Sequence, residues 1–324
     1  MPGLVADIGG THARFGWLAG PDAPVTHARI LPAAEHAGVL EAAQAYLAGL
    51  RSRLGPGFQP PVRASLAVAT AVTGDRVAFT NSRWSFSRTA LQDALALQSL
   101  AIVNDFEALA LSLPQLAASQ LRLHGQALRL EQPLAVVGPG TGLGVGCAIP
   151  VDGGWVALPG EGGHATLAAG DAFEESVLGH ARRVHGHVSA ERLLSGTGMP
   201  LLHESVAAAS GQTAAAADTP HIVAEGLAGD AACRRTLEVF CAMLGSFAGN
   251  VALTMGARGG VCIGGGLVPR LGEFFFRSAF RERFEAKGRL RPYLAEIPTA
   301  VITDPAAALA GAATLLRAKS DFRP

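Results

Sequence analysis

Cysteine is scarce and scattered in this chain of 324 residues: Cys147, Cys233, Cys241 and Cys262 lie far apart and never in CxxC spacing. That excludes a disulfide framework and a cysteine-built zinc site. An excess of charge of one sign is also lacking. Lys plus Arg equals Asp plus Glu, and no run of basic residues makes up for the zero formal charge. The electrostatic footprint of a nucleic-acid binder is therefore missing. The opening Met-Pro-Gly-Leu-Val-Ala-Asp has no basic segment and no apolar stretch of signal-peptide length. Apolar runs such as 101–103 and 274–276 stop far short of the roughly 20 residues that a membrane helix needs. A soluble protein in a reduced, cytoplasmic setting is the expectation, with neither membrane nor nucleic acid as partner.

About half of the residues are apolar and 16% are charged, a balance that suits a well-buried globular protein and argues against disorder. The length exceeds what one hydrophobic core usually serves, so two domains with a cleft between them are expected. Short apolar segments closed by glycine, Leu4-Val-Ala6, Leu66-Ala-Val-Ala69, Leu134-Ala-Val-Val137 and Val261-Cys-Ile263, read as buried strands. Helical periodicity at 38–50, 87–97, 172–184, 232–255 and 305–317 alternates with them, which predicts an α/β fold. Ser189 marks a helix start. The Ala, Ser, Thr and Gly of 207–220 read as a surface connection.

Five constellations carry chemistry. Asp7-Ile-Gly-Gly-Thr follows one apolar strand, and Gly138-Pro-Gly-Thr-Gly-Leu-Gly follows another. Glycine there leaves backbone N–H groups accessible to an anion, which suits two phosphate loops, although a plain hairpin turn is the local alternative for the first. Asp7 is placed to hold a hydrated Mg²⁺, and Arg14 either neutralises charge or fixes the turn. Asn104-Asp105 ends an apolar run before a helix, where α/β ligands bind. Taken alone, Asp105 reads more readily as that helix's N-cap. Pro159-Gly-Glu-Gly-Gly-His164 presents Glu161 and His164 free of bulky neighbours, as a sugar's hydroxyls require; a His-Glu metal site is the alternative. Gly264-Gly-Gly266 closes a strand where an adenine could lie flat or the chain could simply reverse.

Together these segments, with Thr80-Asn-Ser-Arg-Trp84 and His187-Val-Ser-Ala-Glu-Arg-Leu-Leu-Ser-Gly, resemble the bacterial glucokinases of the hexokinase and actin-like ATPase superfamily, in unbroken order from about residue 4 to about 315. The resemblance implies a two-lobed, ribonuclease H-like α/β fold with a central cleft. Its small domain would be 1–112 plus 306–324, and its large domain 113–305. It implies a cytoplasmic, homodimeric enzyme that uses ATP and Mg²⁺ to phosphorylate glucose. Asp105 would be the base, with Asn104, Asp105, Glu161, His164 and Glu191 on the sugar. Locally Glu191 reads only as a first-turn helix glutamate favoured by the dipole. ATP would be held at Asp7, Ile8, Gly9, Gly10, Thr11, His12, Gly140, Thr141, Gly142, Gly265 and Gly266. His12 departs from the asparagine that many members carry after Gly-Gly-Thr. The chain also has no cysteine-rich zinc motif after Gly-Glu-Gly-Gly-His, and no DNA-binding extension is expected ahead of Asp7.

Overall fold

A computed structural model describes residues 1–20, 22–79 and 82–317. Thr80 and Asn81, and the 318–324 end assigned to the small domain, lie outside the described residues. The strands, in chain order, are β1 (Gly3–Ile8), β2 (His12–Leu18), β3 (Thr26–Pro32), β4 (Arg63–Val68), β5 (Arg76–Ala78), β6 (Ser85–Ser87), β7 (Ser99–Asn104), β8 (Leu121–His124), β9 (Leu134–Pro139), β10 (Leu143–Val151), β11 (Gly154–Leu158), β12 (Gly260–Ile263) and β13 (Thr299–Ile302). Two compact units result. The first holds Met1–Leu116, Val151–Pro159 and, from Ala306, the described part of the C-terminal helix; the second holds Ala117–Pro150 and Gly160–Pro305.

In the first unit the sheet runs β3-β2-β1-β4-β7, with β1, β4 and β7 parallel and β2 and β3 antiparallel. The period-2 alternation of β1 sends its side chains to two different partners. Leu4, Ala6 and Ile8 pack with Val39, Ala42, Tyr46 and Leu50 of the helix Val39–Leu54. Val5 faces Leu309, Ala312, Ala313 and Leu316 of the helix Ala307–Arg317. That C-terminal helix also packs on the helix Asp105–Ser112 so closely that a Cβ at Gly311 would run into the Ala108 carbonyl oxygen.

Within the second unit the order is β10-β9-β12-β13-β8. The strands β9, β12 and β13 are parallel, while β10 and β8 are antiparallel to their neighbours. The arrangement β2-β1-β4-β7 is thus repeated as β10-β9-β12-β13. Each glycine turn of the sequence joins the first two strands of its own repeat, so the echo between them is an echo of topology. Beneath lies the helix Ala231–Met255, whose Leu237, Phe240, Cys241, Leu244 and Ala248 are fully buried. Burying a leucine or phenylalanine side chain contributes roughly 1.5–3 kcal/mol.

That helix corrects one expectation. It has 25 residues and a mean hydropathy of 1.4 over its most apolar window, so it passes the length and composition test that short apolar runs fail; 78% of the window is buried inside the protein. Two boundaries also move. The segment 207–220 is not all connection: the helix Met199–Ala209 runs into it, and Asp218 caps a new helix, Thr219–Ala228, by accepting from the His221 N–H. The segment Val151–Pro159, read as part of the second domain, groups with the first unit, where β11 packs on the helix Asp105–Ser112.

Because main chain cannot swing away as a side chain does, Gly311→Ala should lower stability by about 1–3 kcal/mol or more, the usual effect of overpacking. Urea unfolding would show it as a lower midpoint with unchanged slope. An unchanged midpoint would mean that the two helices do not touch at this point.

Candidate functional site

In the first unit three parallel strands end level with one another: Ile8 stands beside Val68, and Val68 beside Asn104. This register gathers the turn after β1, the loop after β4 and the start of the helix Asp105–Ser112 at one sheet edge. The first turn is a hairpin, as its local alternative had it, closed by Gly9 N–H donating to the His12 carbonyl at 2.9 Å. The Thr11 carbonyl is taken by Ala33 N–H at 2.8 Å. Among the described residues, the N–H groups of Gly10 and Thr11 have no acceptor. Gly10, Thr11 and His12 lie at the surface or only partly below it. A nest of this kind suits an anion.

Asp7 stands opposite Arg14 in the β1–β2 ladder, and Arg14 Nη1 donates to its Oδ2 at 3.1 Å. Burial pushes the Asp7 carboxyl above its ordinary range, and Arg14 pulls it only part of the way back. Among the described residues Asp7 Oδ1 carries no hydrogen bond, so the carboxylate keeps one oxygen for a hydrated cation. The chemistry of the site fits Mg²⁺.

At the third strand end the cap is Asn104, not Asp105. Asn104 Oδ1 accepts from Phe106 N–H at 2.9 Å, its Nδ2 donates to the Thr70 carbonyl at 3.3 Å, and the Glu107 carboxylate accepts from the Asn104 N–H. Asn104 is thus the N-cap of the helix. Asp105 is the helix's first residue, half-buried, and its Oδ1 shares the Phe106 N–H at 3.0 Å.

In the second unit, four segments converge on the turn Pro139-Gly-Thr-Gly-Leu143. Gly140 N–H closes it onto the Gly142 carbonyl at 2.9 Å. A Cβ at Gly163 would run into the Leu143 carbonyl, and one at Gly265, whose φ is +74°, into the Pro139 carbonyl. The loops carrying His164 and the triple glycine therefore lie backbone against backbone with the turn. Glu191 arrives on the short helix Ala190–Leu193, whose start Ser189 caps. Its Oε2 accepts from Leu143 N–H at 2.8 Å, and its Oε1 stands 4.0 Å from His164 Nε2. Glu191 stands in the first turn of its helix and also bridges two loops. Glu161 is exposed, offers its carbonyl to His164 N–H at 3.0 Å, and makes no side-chain pair with His164. Gly266 leads into the helix Leu267–Leu271.

A fourth contact to the turn comes from the end of the motif 187–196 and the two residues after it, to which the sequence assigned no role. The Ser195-Gly-Thr-Gly198 stretch donates to the turn's carbonyls: Gly196 N–H to Gly140 at 2.7 Å, and Thr197 N–H and Oγ1 to Thr141 at 3.1 and 3.0 Å. The signal for it is that the Ser195-Gly196 closing the motif runs on into Thr197-Gly198, a further glycine-rich turn. The N–H groups of Thr141 and Gly142 have no acceptor among the described residues. They form a second nest, matching that at Gly10 and Thr11.

The glucokinase family profile matches residues 4–319. A glucokinase of Aromatoleum aromaticum is 48% identical over 317 residues, 97% of this chain and 94% of that one. A bifunctional protein glk of Burkholderia pseudomallei is 46% identical over 318 residues, and this chain spans 48% of its length. The solved structure of a glucokinase from an Antarctic psychrotroph covers 98% of this chain and 99% of its own, with a TM-score of 0.88 at 36% identity. A ROK family glucokinase from Streptomyces griseus, solved in complex with glucose and AMPPNP, shares the fold with a TM-score of 0.65 at 19% identity, covering 98% of this chain and all of its own. The fold is that of the actin-like ATPases.

The raised Asp7 carboxyl gives a stability signature. A carboxyl whose pKa is higher in the folded state is no burden at low pH, where it is protonated in both states; ionising it costs stability as pH rises. Asp7→Asn removes that burden, so the melting temperature of the variant minus that of the parent should climb from pH 4 to pH 7. A difference that is flat or falls over this range would show that the Arg14 pair outweighs burial.

Proposed function

The chain belongs to the glucokinase family, and from that premise we propose that it transfers the γ-phosphoryl group of ATP to the 6-hydroxyl of glucose, with Asp105 as the proton acceptor. The observation that carries the finer assignment is the cap at the start of the helix Asp105–Ser112. Asn104 is the N-cap, which leaves Asp105 as the first residue of the helix, half-buried at the edge where β1, β4 and β7 end level.

In this reading the glucose hydroxyls are held by Asn104, Asp105, Glu161, His164 and Glu191. Asp105 orients the 6-hydroxyl and takes its proton as the oxygen attacks the γ-phosphorus in line. The new O–P bond forms while the bond to the β,γ-bridging oxygen breaks, and ADP leaves with that electron pair. No phosphoenzyme intervenes, and most of the catalysis is positional. The donor's phosphates take the unpaired N–H groups of Gly10, Thr11, Thr141 and Gly142, with Asp7, Ile8, Gly9, His12 and Gly140 shaping the two turns. The purine rests on Gly265 and Gly266. Asp7 would hold Mg²⁺ through water, and the ion would supply charge neutralisation on the triphosphate.

A second reading is a kinase for another hexose, because Glu161, His164 and Glu191 contact hydroxyls without excluding mannose, fructose or glucosamine. ADP release measured across a panel of hexoses and phosphoryl donors separates the two: glucose with ATP should give the highest kcat/KM, and a different best pair would replace this assignment. Asp105→Asn should lower kcat by at least roughly 100-fold, the lower end of what a general base contributes. Glucose binding, followed by intrinsic fluorescence, should remain within a few-fold of the parent. Turnover close to the parent's would rule out Asp105 as the base.

A further inference from the structure

We infer that Ser195-Gly196-Thr197 is a positioning element for the nucleotide, setting the shape of the Gly140–Gly142 turn by holding its carbonyls away from the bound phosphates. The inference rests on the reading of that turn as a phosphate loop. It assigns a role to a stretch that neither sugar nor ATP needs to touch.

A glycine turn can offer its N–H groups to an anion only if its carbonyl oxygens point elsewhere, because peptide dipoles facing the wrong way repel negative charge. Free glycine backbone does not choose between these orientations. Here the choice is made by three donors. Gly196 N–H takes the Gly140 carbonyl at 2.7 Å, and Thr197 takes the Thr141 carbonyl twice, through N–H at 3.1 Å and Oγ1 at 3.0 Å. The N–H groups left without acceptors are those of Thr141 and Gly142.

The positioning stretch is itself fixed. Ser195 Oγ donates to the Glu191 carbonyl at 2.7 Å and accepts from Gly198 N–H at 3.0 Å, and Ser195 is fully buried. Thr219 Oγ1 holds the Gly196 carbonyl from the far side. Gly196 is glycine for a reason of space: a Cβ there would stand 2.9 Å from the Gly140 oxygen, closer than real Cβ atoms come. One segment, 191–197, thus carries Glu191 at its start and the hold on the turn at its end.

Four variants test this, with initial rates measured against ATP and against glucose separately. Thr197→Val keeps the branched shape and loses the hydroxyl. It should raise KM for ATP roughly 2- to 10-fold, as loss of one hydrogen bond does, while KM for glucose and the melting temperature stay near the parent's. Thr197→Ser should restore it. Gly196→Ala, which pushes on the Gly140 carbonyl, should raise KM for ATP further. Gly140→Ala separates this inference from the reading beneath it, because its Cβ meets nothing within 4 Å in the protein and would crowd only a bound phosphate. If Gly140→Ala weakens ATP use but folded Thr197→Val and Gly196→Ala do not, the positioning role is wrong and the phosphate loop stands. If none of the three affects ATP, both are wrong. Equal changes in the two KM values, or no rescue by serine, would reduce Thr197 to a structural residue and overturn the inference.

Discussion

Three glycines allow separate stretches of main chain to touch around the turn that joins β9 to β10, and the second unit's site is built on that closeness. At Gly163, Gly196 and Gly265 a single added carbon would press on a carbonyl oxygen of Leu143, Gly140 or Pro139. Backbone packed on backbone has no rotamer to yield with, so the loops that carry His164, Glu191 and the triple glycine are held at fixed spacing from one another. The first unit reaches a similar result by other means. There the level ends of β1, β4 and β7 bring Gly9, Thr70 and Asn104 to one edge, and sheet hydrogen bonds set the register.

Charge is handled differently at the two turns. Asp7 is kept where burial works against its ionisation and one arginine offsets only part of the effect. A carboxylate so placed is poorly explained by folding alone; perturbed groups of this kind gather at functional sites. Glu191 instead satisfies an N–H of the glycine turn and keeps its other oxygen towards His164. It therefore couples the loop assigned to the donor with the loop assigned to the sugar, which a glutamate serving only its own helix end would not do.

Much of this was legible in the sequence, and the rest was not for identifiable reasons. The strands β1, β4, β9 and β12 announced themselves because parallel strands covered on both faces read as unbroken apolar runs. The long helices were equally plain, to within a few residues at each end. The strand β3 was not, since its residues are largely exposed and pairing with β2 rather than burial makes it a strand. The competition between Asp105 and Asn104 for the cap could have been settled by Glu107, three residues after Asn104, which marks the asparagine as the cap. The partners of Glu191, and the hold of Thr197 on Thr141, join residues 48 and 56 positions apart. No local pattern encodes such contacts.

The helix Ala307–Arg317 packs on Val5 and Leu18 on one face of the first sheet, where Val25 is the only residue of the cluster besides them, among the described residues, that precedes the second unit. A ribosome makes β1, β2, β4 and β7 long before that helix, and the whole second unit is synthesised in between, at roughly 5–20 residues per second. During those seconds the face of the first sheet that bears Val5 and Leu18 waits for the helix that packs on it. The folding of the first unit is completed by the helix Ala307–Arg317, so a chain cut short anywhere in the second unit leaves the first unit unsealed. The discontinuous topology thereby ties the first unit to a late event in synthesis: only a chain extended through the helix Ala307–Arg317 can close the unit to which the proton acceptor is assigned.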